Sequence, residues 1–440
     1  MEKGFDLGQA MAEAERCLLC HDAPCSKGCP ALTNPGEFIR KLRMRNVTGA
    51  IRTVKENNIL GGACGVLCPT AMLCEKECAA TGIDRTIRIG KIQRFLIEHS
   101  WETGFKPFAN PRFELPPPVK SKVAVVGAGP AGLACAAELA KNGYQAVVFE
   151  KRAEPGGVLR YGVPGFRLSA EFLEKELEDI RALGVTFKNS RGIGSGGAEK
   201  LLKQGFQAVF VGIGLWSPIR PPFGGAGGAN VIASVRFLEL FRSKPASALG
   251  GRRLCAAKSV AVIGGGSVAI DCARTALRLG AKDVYLVYRR SFSQMPAEEA
   301  QRAEALNEGI HFLLLNQPTG YARDTRGSLT GVKLVRTRLS GKDPSGRRKP
   351  IEIGGSAWVL DVNACIEAIG NKPEENSLSL GKLISADPET GRTSKAGIFA
   401  GGDIVRGPGT VVQAVADGKA AAKAIMKQLA EKSQNGETAC

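Results

Sequence analysis

Histidine is nearly missing from this chain. Three occur in 440 positions, His21, His99 and His311. No Ser-His-Asp pattern can be assembled around them, so triad hydrolysis is excluded. Mixed Cys/His zinc ligation is disfavoured for the same reason. Aromatic residues are thin at 6% and the basic residues are scattered, which argues against nucleic-acid binding. No apolar run approaches the roughly 20 residues of a membrane span. The opening MEKGFDLGQAMAEAERC lacks the apolar centre of a secretory signal. A cytoplasmic protein with no membrane partner is therefore expected. No cysteine pair follows Glu150, so a dithiol flavoprotein reductase is disfavoured. Acidic residues are also short, 42 against 60 Lys and Arg, a net charge of +18. That balance predicts a basic surface attractive to anionic cofactors or to an acidic protein partner.

Cysteine is abundant instead. Eight of 13 fall early, as Cys17-x2-Cys20-x4-Cys25-x3-Cys29-Pro30 and Cys64-x3-Cys68-Pro69-x5-Cys74-x3-Cys78. Cysteine-dense secreted scaffolds are short, and this chain is long, so ligation in a reducing compartment is favoured over disulfides. The first run follows the bacterial ferredoxin spacing, in which three cysteines hold one cluster and the fourth reaches to another. Read that way, Cys17, Cys20 and Cys25 hold one [4Fe–4S] cluster and Cys29 joins a second. Cys135, Cys255, Cys272 and Cys365 are scattered and read as small core residues.

Two glycine loops follow. Gly127-Ala128-Gly129-Pro130-Ala131-Gly132 lies between a predicted strand and helix, and Glu150 ends the next strand about twenty residues on. An acid there suits free ribose hydroxyls, as in FAD or NAD. FAD is preferred because GGVLRYGVPGFRL follows, with Gly157, Val158 and Arg167, beside Lys151. Late in the chain, Gly402 and Asp403, with Gln413 on the next helix, suit the flavin's ribityl and pyrophosphate; a helix cap is the plainer role for Asp403. The second loop, Gly264-Gly265-Gly266-Ser267-Val268, is followed by a strand ending in Arg289-Arg290. Arginine at the ribose position predicts a 2′-phosphate and hence NADP(H), with NAD(H) open. Ala368-Ile369-Gly370 closes this domain and completes its site. Clusters move single electrons and nicotinamide carries a hydride, so a flavin is needed between them.

The predicted fold class is α/β. An α-helical double-cluster domain (1–105) precedes two Rossmann-like nucleotide domains. Residues 106–121 form a proline-rich linker, 122–258 the first part of the FAD domain, and 259–370 the NAD(P) domain. Residues 371–430 return to the FAD domain, which is thus discontinuous, and 431–440 form a disordered tail.

The stretches RCLLCHDAPCSKGCP (16–30), GACGVLCPTAMLCEKECAATG (62–82), IGKIQRF (89–95), VGAGPAGL (126–133), VIGGGSVAIDCA (262–273) and FAGGDIV (399–405) carry a resemblance over nearly the whole chain. It resembles the flavin subunit of bacterial dihydropyrimidine dehydrogenases, and is similar also to the small subunit of glutamate synthases. The resemblance implies one cluster on Cys17, Cys20, Cys25 and Cys78. It implies a second on Cys29, Cys68, Cys74 and Gln93, with Cys64 spare. It further implies FAD, NAD(P)H and a separate FMN and iron–sulfur partner subunit, in a heterotetramer, that reduces uracil or thymine to the 5,6-dihydro form. A non-enzymatic iron–sulfur redox sensor is the contrasting class; two complete nucleotide domains argue against it.

Overall fold

A computed structural model describes residues 3–108, 119–223, 228–243, 258–344 and 346–437. Most of the expected linker, Cys255 and the last three residues lie outside the described residues. The chain divides into two compact units. The first comprises residues 1–160, 165–215 and 372–440; the second comprises 161–164 and 216–371.

The first unit opens with helices α1 (Leu7–Glu15), α2 (Pro24–Lys27), α3 (Pro35–Arg43), α4 (Val47–Asn57), α5 (Gly61–Leu67) and α6 (Ile89–Glu102). Polar caps set their starts. Asp6 and Gln9 exchange a reciprocal capping box, and Asn34 and Asn46 accept the free N–H groups of α3 and α4. Phe38, Ile39 and Leu42 of α3 meet Ile51 and Val54 of α4 and Ile92, Phe95 and Leu96 of α6 in one apolar core. Between the two cysteine groups the chain forms two helices, α3 and α4, separated where Arg45 takes a left-handed turn.

The same unit continues with β1 (Val119–Val126), α7 (Pro130–Lys141), β2 (Tyr144–Phe149), α8 (Val158–Tyr161, whose last residue belongs to the other unit), α9 (Ala170–Ala182), β3 (Thr186–Lys188), α10 (Gly197–Lys203) and β4 (Ala208–Val211). The second unit holds β5 (Ser217–Pro218), β6 (Val231–Ala233), α11 (Ser234–Ser243), β7 (Ser259–Ile263), α12 (Ser267–Arg278), β8 (Asp283–Tyr288), α13 (Glu299–Asn307) and β9 (His311–Leu314). It goes on through β10 (Asn316–Arg323), β11 (Leu329–Lys342), β12 (Arg348–Glu352), β13 (Trp358–Asp361) and β14 (Ala364–Glu367). After β15 (Asn371–Lys372), the first unit resumes with β16 (Ile398–Ala400), α14 (Asp403–Arg406) and α15 (Val411–Glu437).

Two five-stranded parallel sheets result, ordered β16-β4-β1-β2-β3 and β6-β14-β7-β8-β9. Their central strands carry buried apolar runs, VAVV in β1, AVFV in β4 and VAVI in β7, as befits parallel sheets covered on both faces. β16 joins the first sheet beside β4, so the nucleotide domain of this unit is discontinuous, as expected. The expected boundary at 258 is corrected. β6 pairs with β14 inside the second sheet and α11 follows it, so that unit starts near Trp216. The strand VIA is too short to announce itself in sequence. An antiparallel sheet, with β11 between β10 and β12 and also paired to β13, was not foreseen. The tail is corrected as well. The backbone of α15 continues to Glu437, because no proline stops it after Leu429. Among the described residues no helix is long and apolar enough to cross a membrane.

Candidate functional site: thiol pockets and two glycine loops

The eight early cysteines separate in space into two groups. Cys17, Cys20, Cys25 and Cys78 are half-buried neighbours. Burial raises the Cys25 thiol to about 11, and the negative charge of Cys78, Cys17 and Cys20 adds to it. Cys17 moves the same way for the same leading cause. Arg43 and Arg40 hold this loop by its backbone, donating to the carbonyls of Cys17 (2.5 Å) and Cys20 (3.3 Å).

Cys29, Cys64, Cys68 and Cys74 line the second locus, a pocket that Gln93 also walls. The Cys68 thiol is pushed up by its hydrogen bond with Cys64, then by burial. Burial dominates at Cys74, where Cys29 and Cys25 contribute repulsion. Cys25 belongs to the first group, so the two loci adjoin. Gln93 Nε2 donates to the Gly61 carbonyl at 2.6 Å. Cys64 is therefore not remote: it faces the same space as Gln93. Four thiols whose mutual repulsion opposes ionisation need a cation to become thiolates together, and the soft donor set fits an iron–sulfur cluster.

In the first glycine loop, the Gly127–Gly132 turn joins β1 to α7, with Pro130 and Ala131 in the first turn of the helix. A Cβ on Gly132 would lie 1.9 Å from the Gly127 carbonyl oxygen, so only glycine lets the helix seat there. Glu150 is buried, and its carboxylate accepts the N–H of Ala128 (2.8 Å) and of Arg152 (2.9 Å). It therefore braces the loop. Gly157 packs against Gly129, and Val158 is exposed at the start of α8. Lys151 is engaged by Glu374 at 2.6 Å, and Arg167 is half-buried. Gly402 and Asp403 open α14; burial raises the Asp403 carboxyl to about 6, opposed by the Gly409 N–H it accepts. Gln413 Oε1 accepts from the Thr410 backbone and hydroxyl, both at 2.9 Å.

In the second unit, Gly264 has φ +147°, and a Cβ there would meet the Ala368 carbonyl oxygen at 2.3 Å. Gly264 of the second loop thus lies directly against Ala368 of the closing segment. Ser267 and the exposed Val268 begin α12. The arginine pair does not act as a pair. Arg290 is buried, donating to Asp343 (2.5 Å) and to the Arg348 carbonyl (2.8 Å). Arg289 alone is exposed after β8. The expectation that both arginines await a phosphate is corrected: a carboxylate 53 positions away claims one of them.

Sequence reasoning missed several supporting residues. Asp417 accepts the Gly402 N–H at 2.8 Å and pairs with Arg406, fixing the Gly402–Asp403 corner. Its signal was an acid inside the apolar helix VVQAVADGKAAA. Lys55 and Glu176, both fully buried, gave no local signal at all.

Residues 121–418 match the pyridine nucleotide-disulphide oxidoreductase family, and residues 1–105 match dihydropyrimidine dehydrogenase domain II, 4Fe–4S cluster. The chain is 38% identical to the NAD-dependent dihydropyrimidine dehydrogenase subunit PreT of Escherichia coli (strain K12), over 94% of this chain and 93% of that one. It is 34% identical to the glutamate synthase [NADPH] small chain of the same strain, over 97% and 92%. Among solved structures, Mycobacterium tuberculosis FprA in complex with NADPH is similar in fold, with TM-score 0.61 and 18% identity over 72% of this chain and 86% of that one. The cofactor classes read from the cysteines and glycine loops, 4Fe–4S, flavin and nicotinamide, agree with these matches. The chain belongs to the pyridine nucleotide-disulphide oxidoreductases, as a member with an N-terminal 4Fe–4S domain.

Proposed function

We propose that this chain is the electron-input subunit of a dihydropyrimidine dehydrogenase. The two glycine loops would hold FAD and NAD(P)H and the eight early cysteines two [4Fe–4S] clusters; these groups would supply hydride acceptance and single-electron relay toward an FMN and iron–sulfur partner that reduces uracil or thymine. Gly127 to Gly132 and the start of α7 would cradle the FAD pyrophosphate. Gly264 to Ser267 would do the same for the nicotinamide nucleotide, with Arg289 beside the ribose. Cys17, Cys20, Cys25 and Cys78 would hold one cluster; Cys29, Cys68 and Cys74, with Gln93 or Cys64, would hold the other.

One observation carries the relay. Val412 sits between Asp403 and Gln413, the late flavin-site residues, and its side also walls the second thiol pocket. The flavin segment and a cluster pocket therefore share a wall within one compact unit. The similarity to a glutamate synthase small chain supports a second reading, in which the same electrons enter glutamate formation. Purified chain mixed with a candidate FMN barrel, NADPH or NADH, and uracil is expected to yield dihydrouracil. Product only with a glutamate synthase large subunit, glutamine and 2-oxoglutarate would favour the second reading.

A further inference from the structure

We propose that Glu176 is a positioning residue for the second thiol pocket, held in place by Lys55. The proposal rests on the reading that this pocket holds a cluster. Glu176 lies on α9, more than a hundred positions from the pocket it serves. Its Oε1 accepts the N–H of Gly62 at 2.8 Å and its Oε2 that of Ala63 at 3.0 Å. These are the two residues before Cys64. The same short turn carries Cys64 and ends in Cys68, whose N–H returns to the Cys64 carbonyl at 3.0 Å. Its first carbonyl, on Gly61, fixes Gln93 Nε2. One carboxylate thus sets the backbone that carries two of the pocket's five candidate ligands, Cys64 and Cys68, and whose Gly61 carbonyl holds a third, Gln93.

The carboxylate is itself fixed. Lys55 Nζ stands 3.5 Å from Glu176 Oε1 and 2.7 Å from Asp179 Oδ2, and donates to the Ile59 carbonyl at 3.1 Å. Lys55 and Glu176 are both fully buried. Buried charges persist only where every lone pair and proton is compensated, and an apolar pair of similar volume often serves stability equally well. A bolt between two helices needs no carboxylate. Two N–H groups aimed at one point do. Phe172, on the same face of α9, leaves no room for a side chain on Gly62.

The test compares full-length wild type, Glu176→Gln, and Lys55→Met with Glu176→Leu, all purified anaerobically. Iron, sulfide and flavin per chain, the EPR spectrum of the reduced chain, the melting temperature, and hydrogen exchange of the Gly62 and Ala63 amides are measured. In Glu176→Gln those amides are expected to exchange about tenfold faster. Iron should fall by about half, with one EPR component lost and flavin retained. The apolar double variant strands Asp179 and should melt below wild type, yet keep its flavin and show the same selective loss of iron. Full iron with unchanged amide protection in either variant would overturn the proposal. So would parallel loss of flavin, both clusters and melting temperature, the mark of a merely structural tie. A wild-type chain purified without iron would overturn the cluster reading itself.

Discussion

Arg290 gives up its charge to Asp343 inside the second unit, while Arg289, one position earlier, stays exposed. The two substitutions should therefore differ. Partial desolvation of this otherwise exposed side chain lowers the Arg289 guanidinium from its ordinary range, and the positive charges of Arg290 and Arg347 add to that. A 2′-phosphate would relieve this crowding. Arg289→Gln is expected to cut kcat/KM for NADPH by about 10- to 100-fold, the worth of a charge-assisted pair, and leave NADH within a factor of about two. Arg290→Ala should instead cost about 3 kcal/mol of stability by stranding Asp343. Steady-state kinetics with both nucleotides, and urea melts, separate these outcomes; equal losses on NADPH and NADH at position 289 would remove it from the phosphate site. Position on a strand was readable in sequence, whereas which arginine finds a distant carboxylate was not. Glu308 offers a second residue-scale test. Hydrogen bonds from Arg278 and then Arg274 hold its carboxyl down to about 2, against an ordinary 4.5. A depressed acid contributes stability that is complete above pH 4.5 and lost as pH falls toward 2. Discounted for partial exposure, Glu308→Gln should cost about 1–2 kcal/mol at pH 7 and almost nothing near pH 2. An equal deficit at both pH values would show that the pairs do not act through charge.

Elements that fold by local grammar were legible. Each glycine loop sits between a β-branched strand and a helix, and both sheets grew from that signal, as did the return of β16 at GIFAGGD. What was illegible depends on partners far along the chain. β6 has three residues and gains its identity only by pairing with β14. The alternation along β11, with Val332 and Leu334 buried and Lys333 exposed, was present to be read, but it lay inside a stretch taken to continue the nucleotide domain. Seven of the eight early cysteines could be grouped in advance because their spacing resembles a known pattern; Cys64 could not, since facing the pocket is a property of the α5 turn. Helix packing was also hidden. A Cβ on Gly418 of α15 would lie 2.1 Å from the Ala131 carbonyl oxygen of α7, so this glycine sets how closely the two helices pack. Gly418→Ala is expected to destabilise by about 2–3 kcal/mol and to lower flavin retention, because Ala131 is in the first loop. Gly354→Ala, with open space around its Cβ, is the matched control. Equal denaturation midpoints for the two variants would refute the packing argument.

At the scale of the molecule, the cysteine helices and the first nucleotide domain form one unit, tied by polar contacts as well as by apolar surface. Lys419 is pushed down to about 8 by burial and donates to the carbonyls of Ala31 and Asn57. Lys141 reaches the Glu56 carbonyl at 2.7 Å, and Lys55 crosses to Asp179. Removing metal should disturb the thiol pockets while leaving the glycine loops in place, because among the described residues no hydrogen bond joins Gly127–Gly132 or Gly264–Ser267 to the eight early cysteines. Chelated chain is expected to keep its flavin and to bleach it with NAD(P)H at a rate within about twofold of the untreated chain. Transfer onward to a one-electron protein acceptor should fall at least about tenfold, since single-electron relay is the task assigned to the clusters. Stopped-flow absorbance of the flavin beside acceptor reduction measures both halves on one sample. Equal acceptor reduction before and after chelation would mean that electrons leave directly from the flavin. The eight thiols would then serve to hold the N-terminal helices together and not to conduct. Loss of flavin bleaching with the metal would instead mean that the nucleotide sites depend on the cysteine helices, against the independence argued from their contacts.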